Sequence, residues 1–156
     1  TPCCSVADEF PGIDNISPGN FVFYDIMQAE IGSCSKSDIA VALACPVVAK
    51  YPERKEVVIY GGAVHLSKEQ LIKNPDSHFG TAVPLSSKSW DSGKSIGYVK
   101  ALSQEHGIIR CKNDQFNSLG IGDLVAILPV HSCLTANLMA DYRTLDGTQY
   151  NHFKNR

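Results

Sequence analysis

The run Leu124-Val125-Ala126-Ile127-Leu128 restricts the fold more than any other stretch. It is short, wholly aliphatic, opened by a turn at Gly122-Asp123 and closed by Pro129. Those bounds suit a buried strand better than a helix, and proline, which cannot donate to a ladder, stops the strand or sets it at an edge. His131 and Cys133 follow at once, two positions apart. On an extended backbone such positions point to the same side, so an imidazole and a thiol would converge at the strand's end. Both ligate zinc and similar borderline metals. No CxxC or HxxxH partner exists to close a four-ligand structural site. Two readings stay open on spacing alone: an open, catalytic-type metal position, or a partly buried cysteine beside a hydrogen-bonded histidine.

With 156 residues the chain is expected to form one domain with a real core. Apolar residues at 44% and charged ones at 19% are ordinary for a globular protein. A net charge of -2 offers no electrostatic case for nucleic acid or an anionic membrane, and no apolar run approaches the roughly 20 residues of a spanning helix. The start Thr1-Pro2-Cys3-Cys4 has neither a methionine nor a signal-peptide pattern, which is expected of a processed product or a piece of a longer chain. The six cysteines do not make a short disulfide scaffold; Cys45 reads as a core hydrophobe, and reduced thiols in a cytoplasmic protein are expected.

Pro and Gly mark residues 1–20 as a connecting segment, ending in the turn Ser17-Pro18-Gly19-Asn20. Strands are expected at 21–25, within 39–50 (with an edge or bulge at Pro46), and at 56–60, 96–102, 107–111, 124–128 and 142–145. Ser67 and Gln70 have capping-box spacing, predicting a helical turn through Ile72. Residues 74–95 read as a long loop, 134–139 as one helical turn, and 149–156 as an uninformative tail. About seven short strands with one or two helical turns predict an all-β domain of barrel or sandwich type over residues 21–148.

Several stretches, in this order, resemble one family: Thr1-Pro2, Pro18-Gly19-Asn20-Phe21-Val22-Phe23-Tyr24-Asp25, Pro52-Glu53-Arg54, Ser103-Gln104-Glu105-His106-Gly107, and the block from Gly122 through His131-Ser132-Cys133-Leu134-Thr135-Ala136-Asn137-Leu138. Together they resemble the C-terminal β domain of the D-serine dehydratase and D-threonine aldolase family, pyridoxal-phosphate enzymes of the alanine-racemase fold type. The resemblance implies a divalent metal, zinc by preference, on His131 and Cys133. Cysteine at the second position leans towards the dehydratase branch, where the aldolase branch commonly has Asp. It also implies an N-terminal barrel of the same chain that holds the pyridoxal phosphate on a lysine, with Thr1 close to the cofactor phosphate. A homodimer and a small D-amino-acid substrate are further implications, and this portion alone is expected to be inactive.

The function so implied is loss of water from D-serine to give pyruvate and ammonia. Cleavage of D-threonine is the near alternative; an amino-acid racemase domain or a non-catalytic β module are the more distant ones. Glu105-His106 is the next candidate pair for the chemistry, because a carboxylate can orient an imidazole, although a surface hairpin accounts for both equally well. Asn137 is read as a structural cap, His65, His78 and His152 as solvated, and Cys3-Cys4 as inert. Gly61-Gly62 lacks the surroundings of a phosphate loop.

Overall fold

The computed structural model describes residues 2–73, 76–112 and 114–151. In chain order the elements are α1 (Pro2–Val6), α2 (Ile26–Glu30), β1 (Leu43–Tyr51), β2 (Glu56–Tyr60), α3 (Ala63–Leu66), β3 (Leu71–Lys73), β4 (Asp76–His78), β5 (Gly80–Pro84), β6 (Gly97–Leu102), β7 (His106–Cys111), β8 (Leu124–Pro129), α4 (Ser132–Leu138), β9 (Asp141–Arg143) and β10 (Gln149–Asn151). Six of the strands close a barrel in the order β1-β2-β7-β6-β5-β8, and each pair with a register is antiparallel. The all-β class expected from the sequence holds, with the barrel as its form. No helix among the described residues is long and apolar enough to cross a membrane.

The unbroken apolar character of β8 has a simple cause. Val125 and Ile127 point into the barrel, where they pack with Cys45, Val47, Val57, Ile59, Val99 and Ile109. Ala126 and Leu128 point outward into a second cluster with Ile26, Ile39 and Val83. From Val125 to Leu128 both faces are covered, so none of these positions favours a polar side chain. Pro46 lies within β1, opposite Leu124, and the β1–β2 register slips just beyond it, between Val47 and Ala49. That is the bulge the proline predicted.

Three local expectations are overturned. Residues 21–25 form no strand: Tyr24 takes a left-handed φ of 51°, and Asp25 becomes the N-cap of α2, accepting the Gln28 N–H at 2.8 Å. The helical turn expected from Ser67 lies one element earlier, in α3. Ser67 is its C-cap at φ 69°, and Leu71 and Ile72 continue into β3. Residues 74–95 are not all loop, since β5 pairs with both β6 and β8. Its polar neighbourhood hid a strand that exists because two others bond to it. The tail also contributes, with β10 pairing β9 in a small hairpin.

Candidate metal centre at the start of α4

β8 ends at Pro129, and the chain turns directly into α4. His131 is the N-cap of that helix, with extended φ −132° and ψ 102°, while Cys133 lies in its first turn. The two residues therefore do not share an extended strand, as spacing alone predicted. The reason is Ser132, buried completely and captured by another part of the chain. Its N–H donates to Asp25 Oδ2 at 2.9 Å and its Oγ donates to Asn20 Oδ1 at 2.5 Å. Asn20 Nδ2 in turn donates to Asp25 Oδ2, and Met27 N–H donates to the Val130 carbonyl at 3.3 Å. The residues on both sides of His131 are thus bonded to the segment 20–27. Asp25 is only 1% exposed, so its oxygens must be satisfied by protein donors. Here they are.

The next turn is tied to α3. Thr135 N–H donates to the His131 carbonyl at 3.3 Å, and Thr135 Oγ lies 3.3 Å from the Leu66 carbonyl and 3.4 Å from that of His131. α3 is seated by Gly62, where a Cβ would come within 2.5 Å of the backbone of residues 104–106. Only glycine allows that approach.

His131 is half-buried and Cys133 is exposed, so both donor atoms border open space. Burial chiefly, and then the charge of Cys133, pushes the Tyr142 hydroxyl above its ordinary range. The Tyr142 ring packs against Phe23 at 5.6 Å, so the segment before Asp25 also meets β9. An apolar groove of about 630 Å³ runs behind α4, walled in part by Phe23, Trp90, Thr135, Met139 and Tyr142. Neither His131 nor Cys133 lines it.

His106 opens β7, exposed, with its ring edge-on to Tyr60 at 5.6 Å. His65 also meets the Tyr60 ring, at 5.2 Å, and accepts the Gly62 N–H through Nδ1, so it is not a freely solvated side chain. Glu105 is exposed. Among the described residues no three His, Cys, Asp or Glu side chains come together as a metal-binding group, so His106 does not complete a set with His131 and Cys133. Asn137 is exposed on α4, and the ligand turn is braced by Asn20, Asp25 and Ser132. Thr1 and His152 lie outside the described residues. All six cysteines are free thiols. Burial pushes Cys45 up to about 12 and raises Cys111, removing both from nucleophilic or ligand chemistry near neutral pH.

Asn20 and Asp25 are the residues that sequence reasoning missed as supports of this site. Asn20 and Asp25 stood inside a stretch read as a turn and strand, and nothing local reveals a bond across 107 positions.

Comparison with known proteins bears on the family and the fold. The sequence model of a family described as a putative serine dehydratase domain matches residues 40–145. The D-serine dehydratase of Dictyostelium discoideum is 33% identical over 164 residues, spanning 99% of this chain and 40% of that protein. An alanine-racemase-like protein from Idiomarina loihiensis shares the fold at a TM-score of 0.67 and 26% identity, over 82% of this chain and 35% of its own. The D-threo-3-hydroxyaspartate dehydratase of Delftia sp. HT23 does so at 0.68 and 21%, over 83% and 36%. A histidine-to-alanine variant of a D-threo-3-hydroxyaspartate dehydratase, and a cysteine-to-alanine variant in a metal-free form, superpose at 0.71 and 0.69 with 22% and 21% identity. They cover 85% and 83% of this chain and 36% of each of theirs. At such identities these dehydratase structures speak for the fold alone. The chain spans about 40% of the length of the D-serine dehydratase it matches. The matched stretch, residues 40–145, takes in every strand of the barrel, and the chain belongs to the putative serine dehydratase domain family.

Proposed function

We propose that this barrel is the C-terminal domain of a pyridoxal-phosphate- and zinc-dependent lyase that dehydrates a D-3-hydroxy amino acid, D-serine foremost. What supports the reading is a histidine and a cysteine two positions apart on one braced turn, in a chain of the putative serine dehydratase domain family. In the hydroxyaspartate dehydratase structures, the altered histidine and cysteine stand two positions apart, the spacing of His131 and Cys133.

The donor set fits the metal. A neutral imidazole and a thiolate suit zinc, and two protein ligands leave positions open for substrate and water. A metal held here would supply Lewis-acid polarisation for a substrate β-hydroxyl and pyridoxal phosphate an electron sink at Cα, the chemistry by which D-serine would lose water and, after hydrolysis, give pyruvate and ammonia. This chain's part is to hold the ligands. His131 offers one ring nitrogen from a turn fixed on both sides, and Cys133 offers its sulfur from the first turn of α4. His106, at the barrel end from which α3 leaves, is the second candidate for substrate contact, and Thr1 for the cofactor phosphate. The partners that accompany this reading are an N-terminal barrel of the longer chain, a small D-amino acid and a second copy of the protein. The isolated domain is inactive on this view.

The test is the metal content of the full-length protein with pyruvate release from D-serine, for wild type, His131→Ala and Cys133→Ala. Stoichiometric zinc in the wild type, lost in both variants together with pyruvate release, is the expected outcome. Zinc with cleavage of D-threonine and no pyruvate transfers the site to an aldolase. Full activity in both variants without bound metal removes the reading.

A further inference from the structure

The buried carboxylate of Asp25 lies outside the ligand pair, yet it is more heavily engaged than N-capping requires. One oxygen is enough to cap a helix, and serine or threonine does so routinely. Asp25 uses Oδ1 for the Gln28 N–H of α2 and Oδ2 for two further donors, the Ser132 N–H and the Asn20 amide. Ser132 is the residue between the two proposed ligands. Asn20 links the other way as well, accepting from Ser132 Oγ, so the three buried side chains form a closed ring of bonds around that residue.

The chain also accepts strain to deliver this carboxylate. Tyr24 sits at φ 51°, where L side chains rarely stay, immediately before Asp25. The kink turns the chain out of the extended course that Phe21-Val22-Phe23 favours and aims the Asp25 side chain at the ligand turn. Met27 N–H on the Val130 carbonyl fixes the turn from its other side. His131 is therefore clamped between two anchored neighbours, and the direction of its ring and of the Cys133 sulfur is inherited from the anchor.

We infer that Asp25 is the positioning residue of the His131–Cys133 pair, setting metal affinity and coordination geometry through Ser132 while touching neither metal nor substrate. The inference rests on the zinc reading above. Groups that orient metal ligands typically change affinity about 10–100-fold when removed, and Asp25 acts on the backbone of the ligand turn in the same sense.

Two substitutions separate the capping role from the positioning role. Asp25→Asn keeps the size but has only one oxygen: either the amide nitrogen faces the Ser132 N–H, or α2 loses its cap. Asp25→Ser retains a good cap for α2 and cannot also reach Ser132. Full-length protein of each, beside wild type and Cys133→Ala, is assayed for zinc affinity by competition with a chromophoric chelator. The thiolate-to-cobalt charge-transfer band is recorded on the cobalt-substituted forms. The expected result is a zinc Kd raised about tenfold or more in both variants, with a displaced or weakened cobalt band and a wild-type circular dichroism spectrum. A folded Asp25→Ser variant that binds zinc as wild type does and shows an unchanged band overturns the inference and leaves the zinc site standing. Loss of folding in both variants also overturns it, since Asp25 would then serve the fold rather than the site. Wild-type protein that binds no zinc overturns the functional reading itself, and this inference with it.

Discussion

The Asp25 carboxylate accepts the backbone N–H of Ser132 at 2.9 Å, joining two residues 107 positions apart at the turn that carries His131 and Cys133. A turn after a β strand is ordinarily among the more mobile parts of a domain. This one is held from below by a bond to each neighbour of His131 and from the side by Thr135 against α3. Sites held within a fraction of an ångström need this kind of support.

The two-sided burial of β8 predicts that both of its faces matter. Ile127→Ala opens the barrel interior and Leu128→Ala the outer cluster, and each should cost about 2–5 kcal/mol in chemical denaturation. Leu124→Ala, at a position 53% exposed, should stay within about 0.5 kcal/mol. A small loss at Leu128 would mean that the outer cluster contributes little to stability.

Gly62→Ala places a methyl group 2.5 Å from the Gln104 carbonyl and the His106 nitrogen, atoms of backbone that cannot swing aside. A loss of about 1–3 kcal/mol is expected from such overpacking. Gly19→Ala, where a Cβ meets nothing within 4 Å, is the matched control and should leave the melting temperature unchanged.

Glu56 governs the acid limit. Burial works against its charged form, but Lys100 at 2.6 Å, Arg54 at 3.2 Å and Arg110 at 2.8 Å outweigh it and hold the carboxyl below its usual value of 4.5. Because the folded value lies below the unfolded one, the stabilisation is complete above the unfolded value and disappears as pH falls through the folded one. Glu56→Gln should therefore cost about 1.5–3 kcal/mol near neutral pH. The gap to wild type should close on acidification below pH 4.5, measured as unfolding free energy against pH. A gap that stays constant across that range would contradict the ion pairing.

Thiol accessibility gives a fourth check. Cys3 and Cys133 are exposed, whereas Cys45 and Cys111 are buried with thiols raised by burial. Alkylation near pH 8 followed by mass spectrometry should label Cys3 and Cys133 first, with Cys45 and Cys111 labelled only after unfolding. Added zinc should slow labelling of Cys133 and leave Cys3 unaffected. Equal protection of both would point to nonspecific metal binding.

The sequence alone determined the parts of this protein that local chemistry controls. β8, β7, β6 and β2 were legible as short apolar or β-branched runs between turn residues, and Pro46 announced its bulge. The His131–Cys133 pair was picked out by its two-residue spacing together with the family resemblance. What the tertiary structure decided is how that pair is held. β5 became a strand because β6 and β8 offered it two partners, against a polar neighbourhood that argued for a loop. Phe21-Val22-Phe23-Tyr24 has the composition of a strand, yet it gave up that conformation at Tyr24 so that Asp25 could reach Gln28 and Ser132. A buried carboxylate goes where its donors are, and donors more than a hundred positions away leave no mark on the residues beside it.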